Sequence, residues 1–400
     1  MRARPGPMPD ALALCLSGGG LRASLFHAGA VRRLAETGAL ARTDALSAVS
    51  GGAIFAAFLV ERLAPWPSGP LAPEAYEGAV AGPFRREVAA ANLRRGLLGG
   101  RLRGRPFVES MARVYAEVLT RKRLAELPER PRLVLNATDL AFGANWVFER
   151  DRVGSYKAGY LRADLRREWT VARAVAASSC FPPVFRPMKL RLRPGDLTRG
   201  ERRDDPDYTQ VVRNIRLADG GVYGNQGIVP VQRADAVIVS NGGAPIPERP
   251  LRGLVSEVMR YFSVPAAQVE RLEKEDLLGR VRAGSARGAY WGIRWSAPGS
   301  FGGCPGGAEV DLAGYPQGLV LNHIERIRTD LDAFSEGEAK ILENHGYALA
   351  EASLRCFAPD LTGSGAPFGL PHPEWADAAR AESHLTERKS HKRRLLGRSR

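Results

Sequence analysis

The first 63 residues alternate between short apolar runs and longer stretches with helical spacing. Residues 11–16 form a continuous apolar run, as expected for a strand that is buried on both faces. Residues 24–36 place apolar side chains at helical spacing, and the order repeats with an apolar run at 44–49 and a helix-like run at 53–63. This alternation predicts a parallel sheet flanked by helices.

The rest of the chain continues the mixture of strands and helices, and no internal repeat is found. Further strands are predicted at residues 133–138, 145–148, 211–218, 236–239 and 289–295. Further helices are predicted at residues 107–124, 171–178, 251–287 and 336–354. A repeat architecture is therefore excluded, and an α/β fold is expected.

Four segments are expected along the chain. Residues 1–10 form an N-terminal extension, and residues 11–240 carry the strand–helix pattern of the main domain. Residues 241–358 are mostly helical and are expected to pack on the same domain. Residues 359–400 are a basic tail rich in proline, glycine and charge, with disorder expected from Glu382.

The charge of the chain is strongly positive. Its 400 residues are 44% hydrophobic and 25% charged, with a formal net charge of +15. The positive charge is concentrated at residues 92–105, 186–203 and 388–394, and such patches attract nucleic acid, anionic lipid or phosphorylated ligands. Residues 84–102 mix arginines with leucines, which fits either a basic amphipathic flap at a membrane surface or an ordinary solvated helix.

Cysteine usage and hydropathy bear on the compartment. Cys15, Cys180, Cys304 and Cys356 are far apart and form no CxxC pair, which argues against a zinc site and a disulfide framework and favours a reducing compartment. Cys15 and Cys180 have apolar neighbours and are expected in the core. No signal peptide is evident, and the longest charge-free apolar stretch, residues 45–60, is interrupted and short for a membrane span. A cytoplasmic protein, at most peripherally bound to a membrane, is expected.

The junction between the second predicted strand and helix carries a candidate nucleophile, Ser50. Strand–helix turns of the form G-x-S-x-G present a serine in α/β enzymes, and this chain reads A-x-S-x-G, with Ala48 and Gly52 at the flanking positions. Small residues are needed there because the strand and helix pass close to a strained serine. A turn of purely structural importance is the alternative.

Gly18, Gly19 and Gly20 follow the first predicted strand. A loop without side chains can turn its N–H groups toward an anion, aided by the N-terminus of the following helix. One candidate is a pyrophosphate, since residues 18–23 fit GxGxxA, but the acidic residue expected about 20 positions later is missing. The other is the oxyanion of an acyl-transfer intermediate, which Ser50 at the end of the next strand favours.

A serine hydroxyl needs a base that removes its proton, usually a histidine. None of the six histidines follows a strand in a turn directed at Ser50, so each is expected to be structural or at the surface; they are His27, His323, His345, His372, His384 and His391. Asp219 is the better candidate because it ends a predicted strand and precedes two glycines, at the sheet edge where α/β active sites are built. A turn is the alternative, since D-G is a frequent turn dipeptide.

Taken together, these residues resemble the patatin-like phospholipases. Five motifs occur in the family's order: residues 17–22 (SGGGLR), the Ser50 turn, residues 136–139 (NATD), residues 177–185 (ASSCFPPVF) and residues 219–221 (DGG). Ala48 replaces the family's first glycine of the serine turn, and a small residue there should be tolerated. The resemblance spans about residues 11–240 and implies a three-layer α/β/α sandwich with a mostly parallel central sheet.

The resemblance also implies an activity. It implies a lipid acyl hydrolase in which Asp219 activates Ser50 without a histidine, and in which Gly18, Gly19 and Gly20 donate to the oxyanion. Arg22 would bind the lipid phosphate or fix the glycine loop, and the second role is favoured. No cofactor and no metal are implied.

The expected partners are a phospholipid or lysophospholipid substrate and an anionic membrane surface, with no nucleic acid and with the oligomeric state left open. One alternative is a non-catalytic nucleotide- or anion-binding α/β protein that uses the glycine loop and the basic surface. A third hypothesis is nucleic-acid binding through the basic tail after Glu382.

Overall fold

The computed structural model describes residues 12–91, 93, 107–182, 185–243, 250, 253–299, 301, 304–305, 310, 312–363 and 367–387. Its strands are β1 (Leu12–Leu16), β2 (Thr43–Val49), β3 (Arg132–Asp139), β4 (Ala144–Phe148), β5 (Val153–Ser155), β6 (Gly159–Leu161), β7 (Met188–Lys189), β8 (Leu197–Thr198), β9 (Arg216–Asp219), β10 (Ala236–Asn241) and β11 (Arg287–Gly292). The described helices of eight residues or more are α1 (Gly20–Glu36), α2 (Gly51–Arg62), α3 (Phe107–Val118), α4 (Val171–Ser178), α5 (Leu254–Arg282), α6 (Glu336–Phe357) and α7 (Ala378–Glu387).

One mixed sheet organises the molecule. Five strands in the order β11–β10–β1–β2–β3 are parallel. The shorter strands β4, β5, β6 and β8 extend the sheet antiparallel from β3, and β9 pairs antiparallel with β3 and with β7. Every residue of β1 and β10 is buried, because helices cover both faces of these strands. The prediction of an α/β/α fold whose long central strands are parallel is confirmed.

The helix pair α1 and α6 packs closely and joins the C-terminal third of the chain to the core. A Cβ at Gly29 of α1 would lie 1.9 Å from the carbonyl oxygen of Glu343, and one at Gly346 of α6 would lie 2.0 Å from that of Phe26. Both positions need glycine because the helix backbones approach this closely. The predicted helix at 336–354 therefore exists and packs back on the main domain.

The strand predicted at residues 211–218 is wrong in extent. Tyr208–Arg213 is a helix, and β9 begins only at Arg216. Tyr208 and Val212 are buried at a spacing of four, so a helical turn places both in the core. The strand that follows is antiparallel to β3.

The expectation that the cysteines form no disulfide is wrong for two of the four. Cys304 and Cys356 form a disulfide, with their Cα atoms 5.0 Å apart across a sequence separation of 52. Sequence distance does not limit the pairing, because α6 carries Cys356 back to the loop that holds Cys304. Cys15 and Cys180 are free and buried, as expected. Cysteine spacing therefore no longer supports a reducing compartment.

Parts of two segments that were expected to be disordered or at the surface form a helix or belong to the core. Helix α7 extends through the start of the segment predicted to be disordered, because Ala381 and Leu385 bury one face of it. In the flap predicted at 84–102, Phe84 and Val88 belong to the core. The extension at 1–10, most of the flap and the tail after 387 lie outside the described residues. No helix within the described ranges is long and apolar enough to cross a membrane.

Candidate active site

Strand register brings Ser50 and Asp219 to one point. Strand β2 pairs with β3 as far as Val49, which lies opposite Asn136. Strand β3 continues past that point, and there β9 runs back toward β2, with Asp219 opposite Ala137. Ser50 follows Val49 directly, so it meets Asp219 at the same edge of β3.

The backbone at Ser50 is strained. Its φ of 48° and ψ of −114° are angles that residues with a side chain seldom adopt, and such strain recurs at functional sites. The next two residues start α2 in very little space. A Cβ at Gly51 would lie 2.1 Å from the carbonyl oxygen of Gly20, and one at Gly52 would lie 2.3 Å from that of Leu16. The small residues of the sequence motif thus let the turn press against β1 and α1.

The Asp219 carboxylate is buried and interacts with two groups near it. Its side chain interacts with the Ser50 hydroxyl, and Oδ1 accepts the N–H of Gly221 at 2.8 Å. Burial raises the pKa of Asp219 to about 6, and the bonds from Ser50 and Gly221 oppose that rise. The carboxylate is consequently ionised at neutral pH yet more basic than an exposed aspartate. Ser50 is half-buried, so its side chain is more accessible than the Asp219 carboxylate.

Two further motifs hold this pair in place. The Ser178 hydroxyl accepts the backbone N–H of Ser50 at 2.8 Å and donates to the Asn136 carbonyl at 2.6 Å. The Thr138 hydroxyl donates to the Asp219 carbonyl at 2.8 Å. Residues from the NATD and ASSCFPPVF segments therefore position the backbones of both candidate catalytic residues.

The glycine loop differs in one respect from expectation. The N–H of Gly18 donates to the Asn225 carbonyl at 3.1 Å, so this group is already engaged. Gly19 and Gly20 stand at the N-terminus of α1, where the first N–H groups have no acceptor within the helix. The first turns of α1 and α2 touch, since Gly51 packs on Gly20. Two helix N-termini therefore direct positive partial charge to the region of Ser50.

Arg22 is buried behind the loop. Its guanidinium donates to the carbonyls of Glu325, Ile327 and Gly242, with the bond to Gly242 2.9 Å long. A Cβ at Gly19 would lie 2.7 Å from the same Gly242 carbonyl oxygen. Burial lowers the pKa of Arg22 to about 10, so it stays charged. The arrangement favours the loop-fixing role over contact with a lipid phosphate.

The described histidines have partners other than Ser50. Both ring nitrogens of His27 are engaged, by the Ser240 hydroxyl at 2.8 Å and the Ser17 carbonyl at 3.0 Å, and burial lowers its pKa to about 4. His345 bonds to the Ile293 carbonyl and is kept neutral in the same way. The other described histidines pair elsewhere: His323 with Glu382, His372 with Glu343, and His384 with Ser335. His391 lies outside the described residues.

One group within the described residues has donors suited to a metal ion: Glu77, Glu343 and His372. Arg85 donates to both carboxylates, so the positive charge that a metal would supply is already present. Different segments from those of Ser50 and Asp219 form this group.

Asn225 is a site residue that the sequence did not single out. A Cβ at Gly18 would lie 2.5 Å from Asn225 Oδ1, and one at Gly221 would lie 2.8 Å from it, so the amide packs between the glycine loop and the loop after Asp219. It also hydrogen-bonds Glu270 on α5. Its one sequence signal is its place six residues after Asp219 in a short glycine-containing loop.

The chain matches a family model in sequence, whereas the solved structures that it matches are only distantly similar. A family model described as patatin-like phospholipase matches residues 14–235. No curated protein is significantly similar in sequence.

Solved structures give distant matches. Human GIVD cytosolic phospholipase A2 is 15% identical over 58% of this chain and 46% of that chain, with a TM-score of 0.39. Its complex with methyl gamma-linolenyl fluorophosphonate is 14% identical over 94% of this chain and 60% of that chain, with a TM-score of 0.46. VipD from Legionella pneumophila is 14% identical over 96% of this chain and 76% of that chain, with a TM-score of 0.35. The chain thus spans between 46% and 60% of the length of the human structures.

The family match covers more than half of the sequence and runs from the middle of β1 through the glycine loop and Ser50 to beyond Asp219. The chain belongs to the patatin-like phospholipase family.

Proposed function

We propose that this protein is a serine lipid acyl hydrolase that cleaves carboxylic ester bonds of phospholipids or lysophospholipids through a Ser50–Asp219 dyad. The observation that carries the proposal is that the Ser50 hydroxyl interacts with the buried carboxylate of Asp219, whose pKa burial raises to about 6. The strained backbone at Ser50 and the family membership support it.

In the first half of the reaction, Ser50 Oγ attacks the ester carbonyl carbon and its proton passes to the Asp219 carboxylate. A carboxylate is a weaker base than imidazole, so the raised pKa and direct contact are what make Asp219 adequate. The tetrahedral intermediate then collapses, the C–O bond to the glycerol side breaks, and the alcohol leaves with the proton from Asp219. An acyl-enzyme on Ser50 remains.

The developing oxyanion is held by the N–H groups of Gly19 and Gly20, with the positive end of α2 nearby. Gly18 is left out because its N–H is bonded to Asn225, and it instead keeps the loop in place. Loss of one such donor typically reduces kcat by about 100- to 1000-fold.

In the second half, water attacks the acyl carbon while Asp219 accepts one of its protons. The second tetrahedral intermediate expels Ser50 Oγ, which recovers its proton from Asp219, and a fatty acid leaves. No histidine and no cofactor enters these steps.

Peripheral binding to an anionic membrane completes the proposal. Residues 181–193 contain no acidic residue, and Arg186, Lys189 and Arg191 are exposed there. We call residues 186–193 the basic edge. They follow Cys180, whose carbonyl accepts the N–H of Asp219 at 3.0 Å, so they come close to the candidate site along the chain. Their positive charge can attract anionic head groups.

Product analysis tests the reaction. Purified protein is incubated with phosphatidylcholine, phosphatidylglycerol and their lyso forms, and released fatty acid is measured by mass spectrometry. Release by the wild type and none by the correctly folded Ser50→Ala variant is expected. Equal release by both, or none by the wild type with any of the four lipids, would defeat the proposal.

A further inference from the structure

Helix α5 carries an exposed apolar face. Of the ten large hydrophobic side chains that are exposed among the described residues, six belong to this one helix. They are Leu254 (73% exposed), Val258 (40%), Tyr261 (70%), Val264 (45%), Val269 (40%) and Leu272 (56%). Steps of three and four residues connect most of them, so they form a stripe along the helix.

The N-terminal half of α5 is almost free of charge. Residues 254–268 contain only Glu257 and Arg260, whereas eight charged residues follow between Glu270 and Arg282. A helix that faced only water would distribute its charges along the whole exposed side. The exposed part of the first four turns is therefore suited to an apolar environment.

The second half of α5 is fixed to the core beside the candidate site. Leu277 and Leu278 are buried. The backbone carbonyl of Glu270 accepts the Gln226 amide at 2.9 Å, and its carboxylate accepts the Asn241 amide. The helix also contacts Gly220–Val222, the turn that directly follows Asp219.

Exposed apolar side chains also occur next to the candidate site. Val222 of the turn after Asp219 is 38% exposed, and Phe181, next to the residue that accepts the Asp219 N–H, is 48% exposed. The exposed cations of the basic edge belong to the same part of the molecule, because Met188–Lys189 pairs with the strand that ends at Asp219. An apolar patch next to a cationic rim matches the acyl chains and head groups of an anionic lipid surface.

We propose that the exposed face of α5, centred on Leu254 and Tyr261, is the surface by which this protein docks on a lipid bilayer or micelle. The inference rests on the proposed function, because an acyl chain must leave an aggregate to reach the half-buried Ser50. Tyr261 has the amphipathic ring that is enriched at membrane interfaces. Docking through α5 places the turn after Asp219 at the lipid surface.

Vesicle sedimentation tests the docking surface. Binding is measured in a Ser50→Ala background, which preserves the lipid, with vesicles of phosphatidylcholine and phosphatidylglycerol. The parent is compared with a Leu254→Ser, Tyr261→Ser variant and with Leu140→Ser, a control leucine that is 45% exposed outside α5. Loss of the two α5 side chains should weaken binding by about tenfold or more, and the control should bind like the parent.

The same substitutions in the active protein separate docking from catalysis. Hydrolysis of a short, monomeric p-nitrophenyl ester should be unchanged by the α5 substitutions, while release of fatty acid from vesicles should fall with binding. Undiminished vesicle binding of the α5 variant, or equal weakening by Leu140→Ser, would overturn the inference. So would a parent that is a dimer by light scattering and becomes monomeric when α5 is altered, because a second copy would then cover this face.

The two proposals can fail separately. If the protein hydrolyses the monomeric ester but does not bind vesicles, the catalytic dyad is supported and the docking surface is refuted. If vesicle binding depends on α5 but the protein hydrolyses neither substrate, the docking surface is supported and the proposed reaction is refuted.

Discussion

The replacement Asp219→Asn is expected to abolish activity and to stabilise the protein at alkaline pH. Asparagine has nearly the same shape and keeps an oxygen that can accept the Gly221 N–H. It has no basic carboxylate, so it cannot take the Ser50 proton. It also removes a negative charge from a site where the residue is only 3% exposed.

The size of the stabilisation follows from the pKa of Asp219. Burial raises that pKa from 3.8 to about 6. Since each pKa unit corresponds to about 1.4 kcal/mol, keeping the carboxylate ionised in the folded state costs about 3 kcal/mol. The folded protein holds this proton more tightly than the unfolded chain, so Asp219 lowers the free energy of unfolding as pH rises from about 4 to about 6, and the loss is complete above that range.

Urea unfolding of both proteins between pH 4 and pH 8 measures the effect. The difference between the free energies of unfolding of the variant and the wild type should be smallest at pH 4 and should grow toward about 3 kcal/mol at pH 8. Other titrating groups cancel in this difference. A variant that is less stable than the wild type at pH 8, or a difference independent of pH, would refute the claim that Asp219 is a desolvated base.

Substitutions at three positions, Ser50, Arg22 and Gly20, separate positioning from chemistry. Ser50→Gly and Ser50→Ala should both be inactive. In urea unfolding the glycine variant should be more stable than the alanine variant by about 1 kcal/mol, because glycine adopts the φ of 48° without strain. Equal stability of the two variants would argue against backbone strain at Ser50. Arg22→Lys should lower kcat by about tenfold or more with little change in KM, because the single nitrogen of an ammonium cannot take the places of the two guanidinium nitrogens that bond to the three carbonyls. A raised KM at constant kcat would indicate phosphate binding. Gly20→Ala should lower the melting temperature and the activity, since its Cβ would lie 1.8 Å from the Thr329 carbonyl oxygen. The control Gly78→Ala should behave like the wild type, because a Cβ there has no atom within 4 Å. Equal effects of the two substitutions would contradict the close packing at Gly20.

Local pattern was sufficient for the parts of the site that depend on local geometry. The apolar run before Ser50 and the small residues after it specify a strand–turn–helix joint, because strand burial and backbone strain act within a few residues. The structure has that joint, with α2 beginning at Gly51. The order of β1, α1, β2 and α2 followed for the same reason.

Features that depend on distant pairing could not be predicted in detail. Asp219 lies beside Ser50 because β3 extends beyond the end of β2 and leaves an edge for the antiparallel β9. No periodicity in residues 211–218 encodes that direction. The engaged N–H of Gly18 likewise depends on Asn225, which is 207 residues away in the sequence.

Exposure of a helix face is a tertiary property as well. The long helix around residues 251–287 was predicted from its composition, but which of its faces meets the core depends on contacts such as those of Glu270 with Gln226 and Asn241. Six large apolar side chains of this helix are exposed, and five of them lie between residues 254 and 269. The pairing of Cys304 with Cys356 was missed on the same grounds.

Labelling by a fluorophosphonate tests the central claim most directly, because the reagent reacts with a serine only when a base activates it. The account predicts a single phosphonyl adduct that peptide mass spectrometry locates on Ser50, with a labelling rate that rises as pH increases through about 6. Asp219→Asn should lose this reaction while remaining folded. An adduct on another residue, or labelling of Ser50 at an unchanged rate without the Asp219 carboxylate, would contradict the account.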